Sequence, residues 1–286
     1  MAERAATPTA SPISSTSRSA GQPEPIVERP PRTFYQKYER VILGGTAVIV
    51  ALAVWQWLWS AGRISPLFFT GPSQVVTRFV EEWTNGRLKS DLAYSGTNFI
   101  VGLGAAIVSG VVLGVVIGWY RRLAMVVEPF MTALYSTPRV ALVPLVLIWF
   151  GIDWKSKVFI VFINAVFPVL INTIGGVKAV DTDLLRAARA FCASDWQTFT
   201  TVVIPGAVPF ILTGVRQAVS LGLIGVVVGE MFGGSEGIGY MVNYGGQLFQ
   251  TDTVFMGVVI IALSGIVLTW LAERLERHFS RWRPER

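Results

Sequence analysis

Few side chains in this 286-residue chain could carry covalent chemistry. Cys192 is the only cysteine, so the chain forms no intrachain disulfide and no Cys-based zinc or iron–sulfur site. His278 is the only histidine, which excludes a bis-His haem or a His-cluster metal centre from this chain alone. No cofactor and no metal are expected. An intramembrane enzyme is a poor reading, because one histidine near the C-terminus and one cysteine in a polar loop leave no catalytic set. The run Gly234-Ser235-Glu236-Gly237-Ile238-Gly239 has the glycines of a nucleotide loop, yet it follows an apolar span rather than a strand and reads as a turn. No Gly-x-x-x-x-Gly-Lys-Ser/Thr occurs, so the chain does not bind ATP by that route.

What remains is a set of polar groups inside apolar runs. Arg216 and Glu230 lie in the run from about 205 to 230. An Arg at a membrane-helix centre costs on the order of 2.5–3.5 kcal/mol, so such residues have a reason to be there. On a helix the two fall within about 40° of one face, which Ser220 shares, and are about 21 Å apart along the axis. That is too far to pair. They form either a polar stripe on a translocation path, Glu230 near the outer mouth and Arg216 deeper, or separate structural pairs with neighbouring helices. Asn164 is a further path candidate, although Asn164 and Asn172 also suit interhelical hydrogen bonds.

The elements that must hold these groups follow from composition. Hydrophobic residues make up 52% of the chain and charged residues 15%, against about 25% charged in soluble domains. Mean hydropathy is +0.54. Charges concentrate in 1–40, 177–200 and 270–286, leaving long uncharged stretches. The chain therefore reads as an all-α, polytopic membrane protein. Its basic balance belongs to the cytoplasmic flanks of spans, and no basic stretch interleaves aromatics as a nucleic-acid platform would.

Residues 1–40 read as a disordered cytoplasmic segment, rich in Ala, Ser, Thr and Pro over 1–32 and without the apolar core of a secretory signal. A first transmembrane helix over 41–60 ends in Trp55, Trp57 and Trp59, and 61–95 is an external polar loop that has room for a short helix. The core, 96–272, holds five more spans. The third of the six, about 124–150, is broken by Pro138, Arg139 and Pro144. Small-residue ridges, Gly110-Gly114-Gly118 and Gly225-Gly229, let backbones approach, packing within one subunit being the simpler reading than a dimer seam. Residues 273–286 form a basic cytoplasmic tail, in which His278 reads as part of a solvated, lipid-facing helix. Inner segments carry more than twice the Lys and Arg of outer ones, which puts both termini in the cytoplasm of a multi-pass protein.

That orientation makes 177–202 a cytoplasmic loop. Asp181-Thr182-Asp183 supplies helix caps. Leu184, Leu185, Ala188 and Phe191 then share one face while Arg186 and Arg189 take the other. By pattern alone this amphipathic helix could simply link two spans.

Its residues go further. Leu184-Leu185-Arg186-Ala187-Ala188-Arg189-Ala190-Phe191-Cys192, continuing without a gap to Ile204-Pro205, resembles the signature loop of binding-protein-dependent ABC importer permeases: Glu-Ala-Ala, three residues, Gly, nine residues, Ile-x-Leu-Pro. Ala187, Ala188 and Pro205 match, Val202 and Ile204 are apolar equivalents, Arg186 replaces the Glu, and Cys192 replaces the Gly. Pro138 to Gly151 and Glu230-Met231-Phe232-Gly233 with Gly237-Ile238-Gly239-Tyr240 are similar to the sulfonate, taurine and nitrate branch. The likeness covers about 92–272.

The resemblance implies an ABC importer permease (type I) fold of about six helices in a bacterial plasma (inner) membrane. It implies a permease homodimer, separate ABC ATPase subunits that hydrolyse ATP, and an extracytoplasmic solute-binding protein. The loop would be the ATPase-coupling element, with Arg186, Ala187, Ala188, Cys192, Ile204 and Pro205 as its site residues. The solute implied is a small anion such as a sulfonate, taurine or nitrate. The alternative is an ion-gradient-driven secondary transporter, which calls for internal repeats and intramembrane titratable groups. No clear repeat is visible, and among span residues only Glu128 and Glu230 are acidic.

Overall fold

The computed structural model describes residues 34–279. Residues 1–33 of the expected disordered segment, 280–286 of the tail, and the side chain of His278 lie outside the described part. The described residues form helices, with no strand among them. Helix α1, Phe34–Ser60, starts inside the 1–40 segment rather than at 41. Pro30 and Pro31 precede it, but 34–40 contains no Pro or Gly to stop the helix extending back. Helix α2, Pro72–Thr84, occupies much of the polar stretch 61–95, with Pro72 in its first turn. Helix α3, Arg87–Trp119, takes in the end of that stretch as well as the span expected from 96.

The third span is broken where its prolines lie. Helix α4, Arg121–Ser136, stops because Pro138 forces Thr137 into an extended conformation (φ −72°, ψ 129°). A 3₁₀ turn over Arg139–Leu142 leads into α5, Val143–Phe150, with Pro144 in its first turn. The two halves are bent by 90°. Then come α6 (Trp154–Lys178), α7 (Thr182–Ala190), α8 (Asp195–Thr198), a π turn over Phe199–Val203, α9 (Ile204–Gly233), α10 (Ile238–Gln247) and α11 (Thr251–Phe279). Helix α11 runs past 272, so the first residues of the expected tail are its last two turns.

Helix α6 is the centre of the core. Gly102, Gly110, Gly114 and Gly118 of α3 face Val161, Val169, Thr173 and Val177 of α6, where an added Cβ would lie only 2.6–2.8 Å from the opposing side chain. Helix α9 packs on α6 as well: Gly214 against Pro168 and Asn172, Gly225 against Val161, Gly229 against Ile160 and Lys157. Both glycine ridges therefore pack within the chain, where backbone proximity yields dispersion contact that larger residues would block.

This pairing also bears on the broken span. Five helices are long and apolar enough to span a membrane, and the bent pair is a candidate sixth. Partner numbers on α3 and α6 rise together, so the two helices run parallel, with Gly118 beside Val177. The chain leaving Trp119 must then return along the whole of α6, about 35 Å, to begin again at Trp154. Helices α4 and α5 make that return, which fits the bent pair as the sixth candidate span.

Candidate functional site

The polar loop between α6 and α9 closes on itself. The Asp181 carboxylate accepts from the Asp183 N–H at 2.8 Å and caps α7. Helix α7 buries no residue completely. Leu185 is its anchor, packed with Val115, Val177, Val203 and Ala207, and Ala188 is half-buried. Leu184 and Phe191, expected on the same face, are 56% and 86% exposed. The wheel arc they share is wider than the strip that touches the core. Ala187 is exposed, and Arg186 reaches Asp183 at 3.5 Å with both side chains in solvent.

Cys192 ends α7 with φ 53°. The Ala193 N–H donates to Ala188 O (3.0 Å) and the Cys192 N–H to Arg189 O (2.9 Å), the paired bonds of a Schellman ending. Glycine suits that position, and a side chain there costs roughly 1–2 kcal/mol. Cys192 thus keeps the left-handed geometry under strain. Ser194 and Gln197 then form a reciprocal capping box (3.2 and 2.9 Å) at the start of α8. Trp196, 71% exposed, stacks on Phe199, which meets Trp119 of α3 edge-on at 5.1 Å. Ile204 is half-buried, and Pro205 is exposed in the first turn of α9.

The four path candidates are not gathered together. Arg216 Nη1 lies 3.3 Å from Glu276 Oε2 of α11, and Thr213 Oγ1 donates to Glu276 Oε1 at 3.1 Å. Asn164 is buried against Gly225 and donates to Ile160 O of its own helix at 2.8 Å. Asn172 bridges to Gln217 of α9 at 3.2 Å. Ser220 alone among the four is exposed. Glu230 is fully buried at the far end of α9.

Glu230 there fastens the start of α10. Its Oε2 accepts from Ser95 Oγ and from the Gly239 N–H, both at 2.9 Å, and its Oε1 from Asn98 Nδ2 at 3.4 Å. Ser95 Oγ accepts from the Ile238 N–H (2.9 Å) and Asp91 Oδ1 from the Gly237 N–H (2.8 Å). Three successive N–H groups at a helix start, which have no partner inside their own helix, are taken by three side chains from α3 and α9. Gly237 sits against the Glu230 carboxyl with φ 103°, where a side chain has no room. The sequence reading missed Asp91, Ser95 and Asn98 in this role. It also took Arg139 only as part of a helix break; the structure places its guanidinium against the Tyr135 and Phe167 rings.

Comparison with known proteins identifies the scaffold. The family described as "Binding-protein-dependent transport system inner membrane component" matches residues 110–281, more than half of the chain. The chain belongs to this family. A Bacillus subtilis permease named for aliphatic sulfonate transport is 33% identical to this permease over 91% of this chain and 93% of the relative. The taurine transport system permease protein of Escherichia coli is 31% identical over 86% and 91%, respectively. Among solved structures, the methionine ABC transporter in inward facing conformations superposes on this permease with a TM-score of 0.62 at 16% identity, over 69% of this chain and 98% of that one. That likeness establishes the fold. The permease is thus an all-α, polytopic member of an importer family whose named relatives are transport proteins rather than enzymes.

Proposed function

We propose that this permease forms the translocation path for a small anionic solute such as a sulfonate, taurine or nitrate, working as a homodimer and driven by separate ABC ATPase subunits that dock on the loop 181–205. An extracytoplasmic solute-binding protein delivers the solute. The protein resides in a bacterial plasma membrane with both termini in the cytoplasm, the basic tail and the 177–202 loop on the same side as the ATPase. The solute class is suggested by the names of the sulfonate and taurine relatives.

The observation that carries the coupling role is the character of α7. It is capped at both ends by its own residues and anchored by Leu185, yet it presents Leu184, Ala187 and Phe191 outward. Exposed apolar groups on a short, ordered helix outside the spans fit a protein partner. The small Ala187 and Ala188 let that partner approach closely.

The test is purification of the tagged protein from its own membranes in mild detergent, with ATP hydrolysis and partner identity as readouts. An ATPase is expected to co-purify from wild type and to be lost from Ala188→Trp, whose melting temperature stays within about 2 °C of wild type because position 188 lies at the edge of the core. Solute movement by the isolated chain on an ion gradient, with no ATPase present, would replace this reading with the secondary-transporter alternative.

A further inference from the structure

Arg139 stands in the break between α4 and α5, and α6 fixes its depth. Its guanidinium carbon lies 4.9 Å from the Tyr135 ring centre and 5.5 Å from that of Phe167, which is midway along Trp154–Lys178. The charge is therefore about halfway across the bilayer. A cation at that depth in hydrocarbon is costly and is ordinarily offset by an acidic partner, as Glu276 offsets Arg216. Arg139 has no ion pair among the described residues, and its Nε is buried without a hydrogen-bond partner. The two aromatic rings recover part of the cost through cation–π attraction. They supply no strong acceptor.

The backbone around it poses the same problem. Thr137 is extended, and Arg139–Leu142 is a single 3₁₀ turn. Pro138 and Ala141 are exposed, as is half of Val140, so the chain does not cover its own break. Irregular backbone at membrane depth persists where it lines a water-filled cavity or is covered by protein, not where it faces lipid tails. An aqueous lining accounts for both the broken span and an unneutralised cation at the same depth.

We propose that the α4–α5 break lines an aqueous passage and that Arg139 is the anion-binding group within it. The planar guanidinium matches the paired oxygens of a sulfonate, carboxylate or nitrate, and Tyr135 and Phe167 hold it in place. The proposal rests on the import reading above for the existence of a passage and assigns that passage its charge. It also demotes Arg216, whose charge is already spent on Glu276.

Membranes containing the whole transporter provide the test. Val140→Cys is introduced in a Cys192→Ser background and labelled with the anionic sulfonatoethyl and the cationic trimethylammonioethyl methanethiosulfonates. Both water-borne reagents are expected to react. Adding Arg139→Gln is expected to lower the ratio of anionic to cationic labelling rates about tenfold, and Arg139→Lys to preserve most of it. No labelling by either reagent, or a ratio that Arg139→Gln leaves unchanged, would overturn the proposal. Uptake of taurine, ethanesulfonate and nitrate by the wild-type complex is measured in parallel. Expected labelling with no uptake of the three would remove the solute class proposed above and leave the anion site standing. Intact uptake with failed labelling would do the reverse.

Discussion

The start of α10 and the α7–α8 loop both contain helix termini, and they satisfy them by opposite means. The first N–H groups of α10 bond to Asp91, Ser95 and Glu230, side chains that belong to two other helices. The termini of α7 and α8 are closed by Asp181, by the carbonyls of Ala188 and Arg189, and by Ser194 with Gln197, all within the same short stretch. A terminus held from a distance is part of the core and loosens only with it. One that closes itself keeps its shape while resting on the core through side chains such as Leu185 and Phe199. The first arrangement suits a fixed support, and the second suits a piece that is pushed as a unit.

The largest effect that would break this comparison is at Glu230. Glu230→Ala leaves the buried Gly239 N–H and Ser95 without their shared acceptor and is expected to lower stability by about 3 kcal/mol, read as a fall in the melting temperature of the purified protein. Arg186→Ala, in the self-closed loop, changes it by less than about 0.5 kcal/mol, since its contact with Asp183 is solvent-exposed. Equal effects at the two sites would sink the distinction.

Next is the packing of α3, the helix that carries Asp91 and Ser95, against α6. Gly114→Leu forces a side chain against Thr173 and is expected to cost about 1–3 kcal/mol in the same measurement, while Gly104→Ala, which meets open space, costs nothing. The smallest effect sharpens the local side of the comparison. Cys192→Gly relieves a side chain held at φ 53° and is expected to stabilise the end of α7 by about 1 kcal/mol, slowing hydrogen exchange at the unchanged Ala193 amide about fivefold where opening limits exchange. Faster exchange there would mean that the cysteine side chain stabilises the ending.

Much of this was legible in the sequence because it is local. Pro138 and Pro144 mark the broken span, Asp181 the start of α7, and the spacing of Gly110, Gly114 and Gly118 the face that meets α6. Helical arithmetic rightly puts Arg216 and Glu230 on one helix, but periodicity describes a helix about its own axis and says nothing of its neighbours. Arg216 found Glu276, in residues that read as a tail because their charges mask the continuation of α11. Glu230 found Ser95 and Asn98 in α3, more than a hundred residues away. Arg139 was visible as a charge between two prolines, yet only the ring of Phe167 sets its depth.

The meshing of α3 with α6 has a mechanical consequence. Glycines seated against Val161, Val169, Thr173 and Val177 act as notches cut to their teeth. A slide of less than four residues would drive a tooth into a wall, and the next notch is about 6 Å away. The two helices therefore cannot shear by small steps. With α9 packed against both α6 and α3, the three form one interlocked unit, and the right-angle break that carries Arg139 lies in the separate α4–α5 segment.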